Sequence, residues 1–167
     1  MFDVLPPSAT PIDIALTPDL ILARQACREI LNQLPQTAER DGALDCLGRI
    51  GKSSLRRKVG HRTKLVLDQA ADQFPELNRV VDEAVKCRNY YVHGTSGSFD
   101  YDRNFEAVLF FTRSLEFIFA ASDLIESGWN FTRWLKRGTA LTHPFGQYKV
   151  SYPAAIARLL QLLPKRD

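Results

Sequence analysis

Apolar residues in the first part of the chain follow a helical rhythm. Leu20, Ala23, Cys27, Ile30, Leu31 and Leu34 recur near the 3.6-residue period and give one segment a single apolar stripe. Thr17, Pro18 and Asp19 supply its start: a capping hydroxyl, a proline at the first helical position and an acid in the first turn. This helix is predicted to run to about Gln33, and Pro35 ends it. Thr37 caps a second, shorter helix through Leu47, weakened by Gly42, and Gly48 with Gly51 marks a turn or kink before Ser53.

The rhythm resumes at Phe74-Pro75-Glu76. Leu77, Val80, Val81, Ala84, Val85 and Arg88 keep the period, which predicts one helix from Pro75 to His93 with Gly94 as its stop. Thr95 to Tyr101 reads as a polar loop, either flexible and substrate-facing or a plain connector. Asp102 then caps the longest helix, to about Ser127, whose core stripe is Phe105, Val108, Leu109, Leu115, Ile118, Phe119, Ser122 and Ile125. A second stripe, Phe110, Phe117, Ala121 and Leu124, runs along the same helix. Such a helix either lies at the centre of a bundle or gives its second stripe to another chain, and dimerisation is the preferred reading.

A short helix over Asn130 to Arg137 presents Phe131, Trp134 and Leu135 among Arg133, Lys136 and Arg137. Interleaved aromatic and basic side chains can stack on bases and grip phosphates, although Trp129 and Trp134 also suit a core or interface. Ser151 caps a final helix carrying Ala154, Ile156, Leu159, Leu160 and Leu163. The predicted class is all-α.

Length and composition fit that picture. The 167 residues suit one domain, 1–167, with 45% hydrophobic and 25% charged residues. Pro6, Pro7, Pro11 and Pro18 make residues 1–17 a proline-rich extended arm. Three cysteines, Cys27, Cys46 and Cys87, form no metal-ligand spacing and cannot all pair, so each is expected as a small core residue in a reducing cytoplasm. No window approaches the roughly 18 apolar residues of a membrane span, and no signal-peptide pattern opens the chain. A cytoplasmic protein without membrane contact is expected.

The formal charge of +3 permits nucleic-acid binding without demanding it. Its densest concentration lies between Arg49 and Lys64: Arg49, Lys52, Arg56, Arg57, Lys58, Arg62 and Lys64, with no acid among them. Arg49, Lys52, Arg56 and Arg57 at helical neighbour positions would form a positive ridge, and Arg56, Arg57 and Arg62 are candidate RNA contacts. The alternative is a solvated face paired with Asp68, Asp72, Glu76 or Asp82.

The candidate chemistry sits at Arg88-Asn89-Tyr90-Tyr91-Val92-His93-Gly94. Asn89 and His93, four apart, share a helix face, so Asn89 can orient the imidazole. Arg88 lies five residues before His93, roughly 140° around a regular helix. Either the helix bends before Gly94, or a second subunit completes the pair.

This run resembles the signature of the HEPN superfamily, in which an arginine precedes a histidine by four to six residues. It is most similar to the Apea-like branch, where Arg-Asn, three residues and His-Gly are followed by a long helix; Arg88, Asn89, His93 and Gly94 all match. The resemblance implies an antiparallel helical bundle, four core helices plus short extra ones. It also implies a homodimer in which two motifs build a metal-independent endoribonuclease site, in a toxin or phage-defence setting. An antitoxin or a nucleotidyltransferase is then a possible partner. Within the same family, the alternative is a non-catalytic module that binds nucleotide, RNA or a partner protein.

Metal-independent cleavage of RNA needs little machinery. A histidine moves protons to and from the 2′-hydroxyl and the leaving 5′-oxygen, and a guanidinium holds the phosphate. The expected roles are His93 as general base or acid, Arg88 as phosphate clamp and Asn89 as orienter, with Tyr90 or Tyr91 touching substrate. Other classes are poorly served. There is no phosphate-cradling Walker loop, dinucleotide glycine fingerprint, zinc-binding His-Glu-x-x-His or nucleophile elbow. His61, His93 and His143 are too dispersed for a metal site, so no metal and no cofactor is expected.

Overall fold

The computed structural model describes residues 10–11, 15–137 and 140–164. Most of the expected proline-rich arm, and the basic end at Lys165 and Arg166, lie outside the described residues. What is described is helical throughout apart from turns, in seven helices.

Helices α1 (Pro18–Asn32) and α2 (Ala38–Arg49) form one compact unit. Their starts are those the capping residues predict. The Thr17 hydroxyl accepts from the Leu20 amide at 3.4 Å, and Thr37 accepts from Arg40 at 3.2 Å. Neither helix has a fully buried residue, and Leu22, Ile30 and Leu34 are exposed. Cys27 and Cys46 are exposed as well, contrary to the expectation that every cysteine is a core residue; only Cys87 is buried.

The other unit is a bundle of α3 (Leu55–Ala70), α4 (Leu77–His93), α5 (Phe105–Glu126), α6 (Phe131–Lys136) and α7 (Pro144–Leu162). Helix α5 is its axis, packed against α3, α4 and α7. Of the second stripe, which on sequence grounds belongs either at the centre of the bundle or, by preference, against another chain, Phe110, Phe117 and Ala121 are buried inside this unit and Leu124 is exposed. Helix α7 covers the two phenylalanines: Phe117 stacks on Tyr148 at 4.4 Å between ring centroids, and Phe110 meets Tyr152 at 5.6 Å. Helix α7 begins seven residues before Ser151, with the His143 Nδ1 accepting from the Phe145 amide at 3.2 Å and Pro144 in the first turn. The extra turns add Tyr148, whose ring fills the gap and whose hydroxyl donates to Ser114 at 2.9 Å. A buried polar tip must find such a partner.

Helix α5 also starts later than predicted. Asp102 does not cap it: the chain passes through a turn in which Asp100 accepts from the Arg103 amide at 3.0 Å, and Asn104 stands at the N-cap. The loop before that turn is anchored rather than loose. Tyr101 is 1% exposed and accepts from the Ser98 amide at 3.3 Å, and a Cβ on Gly97 would meet the Tyr101 ring at 2.7 Å.

Candidate functional site

Helix α4 turns Leu77, Val80, Val81, Ala84, Val85 and Cys87 into the bundle and leaves Arg88 and His93 exposed. Gly94 ends it in the left-handed conformation, φ 65°, with its amide on the Tyr90 carbonyl at 3.0 Å. Glycine adopts that conformation without a Cβ penalty, so the sequence fixes His93 as the last helical residue. The imidazole therefore stands at the open end of α4.

Arg88 reaches that end. Its Nη1 lies 2.9 Å from Nε2 of His93 and donates to Oδ1 of Asn89 at 3.2 Å. Neither a bend nor a second subunit is needed to bring the pair together. The 140° separation holds for the directions in which the side chains leave the helix, and the long arginine stem spans the difference. A guanidinium has donors only, so Nε2 must be the acceptor and the imidazole carries its proton on Nδ1. Asn89 occupies a different place from the one expected: its oxygen holds Arg88, and the hydrogen bond to the imidazole comes from Arg88.

The two tyrosines divide. Tyr90 is half-buried, edge-on to Tyr91 at 5.0 Å and to Tyr101 at 5.2 Å. Tyr91 is exposed, and its hydroxyl donates to Asp102 at 3.0 Å. Desolvation and then the Asp102 carboxylate push its phenol up to about 12. Asp102, taken for a helix cap on sequence grounds, is thus a partner of the motif; its distance of eleven residues from Tyr91 hides that pairing in a sequence. Beneath Arg88 and Tyr91, an open groove of about 300 Å³ runs between α4 and α5, with Thr112 and Glu116 on its far side. Nothing in the sequence marks Thr112 and Glu116, because only the packing of α4 on α5 brings them to the groove.

The basic run does not lie on one helix. Helix α2 ends at Arg49, Lys52 lies in the turn after it, and α3 starts at Leu55, so the four residues do not share a helix. Arg56 is held by both oxygens of Asp82 at 2.7 Å, and Lys64 lies 2.6 Å from Asp68, which are two of the pairings the solvated-face alternative anticipates. Arg57 is half-buried. Arg62 is not a surface residue: it is wholly buried, donates to Ser122 at 2.8 Å, and pairs with Glu126 and with Asp123 at 3.5 Å. Charges so engaged tie α3 to the end of α5, and Arg62 cannot reach a phosphate from there.

The tryptophans pack. Trp129, Phe131, Trp134 and Phe145 form one cluster, with Phe131 and Trp134 stacked at 5.4 Å and Lys149 over the Trp134 ring at 5.5 Å. Cys87 is buried, and burial pushes its thiol up to about 11, which removes it as a nucleophile near neutral pH. Among the described residues, no three His, Cys, Asp or Glu side chains gather into a metal-binding group. No helix of the described residues is long and apolar enough to cross a membrane.

Comparison with known families matches residues 16–132 to the profile described as Apea-like HEPN. That span is well over half of the chain and contains the whole motif. No curated protein and no solved structure matches.

Proposed function

We propose that this chain, which belongs to the Apea-like HEPN family, is a metal-independent endoribonuclease acting at Arg88 and His93. The observation that carries the reading is the 2.9 Å contact between Arg88 and His93 at the exposed end of α4. It joins a fixed cation to a neutral imidazole whose lone pair faces that cation.

An RNA phosphate arriving at the site competes for Arg88. Its oxygens are stronger acceptors for a guanidinium than an imidazole nitrogen, since both partners are then charged. As Arg88 turns to the phosphate, Nε2 of His93 is released to take the proton of the neighbouring 2′-hydroxyl. The 2′-oxygen bonds to phosphorus, the bond to the 5′-oxygen breaks, and that oxygen takes the proton that His93 carries, which returns the imidazole to its neutral form. Charge building on the phosphoryl oxygens is met by Arg88. Asn89 steadies the guanidinium before and during the exchange. Tyr91, fixed by Asp102, offers its ring at the edge of the site.

The matched span crosses both compact units, so we treat them as parts of one functional domain. A homodimer, a cytoplasmic toxin or phage-defence role, and control by an antitoxin or a nucleotidyltransferase partner belong to this reading. The test is His93→Ala, which should leave the protein folded and abolish cleavage of RNA; cleavage unchanged in that variant would sink the assignment. A second reading, a non-catalytic binding module, is favoured by one observation. Arg56, Arg62 and Lys64 are engaged with acids of the same chain and contribute little free charge to a catalytic approach path.

A further inference from the structure

Two open grooves flank the outer face of α5 and meet at one side chain, Glu116. The first, of about 300 Å³, lies between α4 and α5 on a floor of Val108, Phe111 and Leu115, with Arg88 and Tyr91 on its wall. The second, of about 270 Å³, lies between α5 and α7 on Phe117, Phe145 and Tyr148, with Arg113 at its edge. Arg113 and Glu116 are exposed, three residues apart on one helix, and neither side chain makes a hydrogen bond or ion pair among the described residues. An unpaired cation and anion thus stand side by side over two apolar troughs, the first of which opens at Arg88.

These features fit single-stranded RNA better than a peptide or a lipid. A nucleobase is flat and apolar on its faces and polar along its edge, and the first groove offers an apolar floor, an aromatic ring and one carboxylate. A phosphate held by Arg88 places the attached nucleotide at the mouth of this groove. Glu116 is acceptor-only, so it favours an exocyclic amino group, as on cytosine, and disfavours uracil, whose one N–H lies between two carbonyl oxygens. Arg113 stands one turn along, where a following phosphate can meet it.

We propose that the α4–α5 groove is a base-binding subsite for single-stranded RNA. Glu116 selects a base with an exocyclic amino group, and Arg113 holds the neighbouring phosphate. This rests on the RNA-directed reading of the Arg88–His93 site.

The test is fluorescence anisotropy of equal-length oligo(C) and oligo(U) on the full chain carrying His93→Ala, so that cleavage cannot interfere. Oligo(C) should bind about tenfold more tightly, the scale of one charge-assisted hydrogen bond to a base. Adding Glu116→Ala should remove that preference without weakening oligo(U). Adding Arg113→Ala should weaken both by one factor and reduce the salt dependence by about one phosphate contact. Equal affinity for the two oligomers, or a cytosine preference that survives Glu116→Ala, would overturn the subsite. Arg113→Ala with an unchanged salt slope would overturn the phosphate contact. The nuclease reading fails separately: a Glu116-dependent preference in a protein whose wild type cleaves nothing keeps the subsite and removes the catalysis.

Discussion

Replacing Arg62 by Met keeps a long unbranched side chain in the same cavity and removes the charge and all its donors. Arg62 is wholly buried, and its guanidinium links α3 to Ser122, Asp123 and Glu126 at the end of α5. Breaking a buried ion pair by deleting one partner typically costs about 3–5 kcal/mol, mostly because the other charge is stranded. Here the stranded carboxylates are not deep: Asp123 and Glu126 are 67% and 39% exposed, so water can take over much of their solvation. The expected loss is therefore smaller, about 2–3 kcal/mol. In urea this appears as a lower midpoint at unchanged slope, and on heating as a Tm lower by about 4–12 °C for a chain of this size. Arg56→Ala is the contrast. It breaks a bidentate but exposed pair with Asp82, and should cost under about 1 kcal/mol. Under conditions where it is folded, Arg62→Met should bind RNA as wild type does. Stability within about 0.5 kcal/mol of wild type, or lost RNA binding at undiminished stability, would refute the structural role.

Four further outcomes follow from the packing. Tyr91→Phe should remove one phenol titrating near 12 from the ultraviolet titration. Because that phenol is raised in the fold, the unfolded chain gives up the proton first; stability should fall as pH rises from about 10 towards 12, and fall less in the variant. Gly97→Ala should destabilise by about 1–3 kcal/mol in urea, since its methyl would lie 2.7 Å from Tyr101 and 3.0 Å from the Phe99 carbonyl. Gly60→Ala, inside α3 with nothing within 4 Å, should stabilise by up to about 1 kcal/mol. A thiol reagent at pH 8 should count Cys27 and Cys46 quickly and Cys87 only after unfolding, because burial holds that thiol near 11.

Much of this architecture is legible in the sequence where local chemistry decides it. Thr17 with Pro18, Thr37 and Gly94 set helix ends through side-chain caps and a left-handed stop, and each acts over three or four residues. The motif is legible for the same reason. What escaped depends on residues far apart. A start at Ser151 is too late: α7 begins at Pro144, behind His143, and carries Pro153 inside it. On periodicity alone the second stripe of α5 fits either the bundle centre or a partner chain; only the fold shows Tyr148 stacked on Phe117. Arg62 was counted with a charge run although it lies among the inward positions Val59, Thr63 and Val66 of α3. A charge on an apolar face, with acids in reach elsewhere, is the signal that could have found it. The facing of Arg88 and His93 was judged from Cβ directions, and the length of arginine overrode that judgement.

The central claim is that Arg88 and His93 together cleave RNA without a metal. It is tested most directly by incubating end-labelled RNA with the purified chain in EDTA, beside Arg88→Ala and His93→Ala, and analysing the new ends. Cleavage by wild type alone, leaving 2′,3′-cyclic phosphates, is the predicted result. Intact RNA in every lane from folded protein, or cleavage that both variants retain, would contradict it.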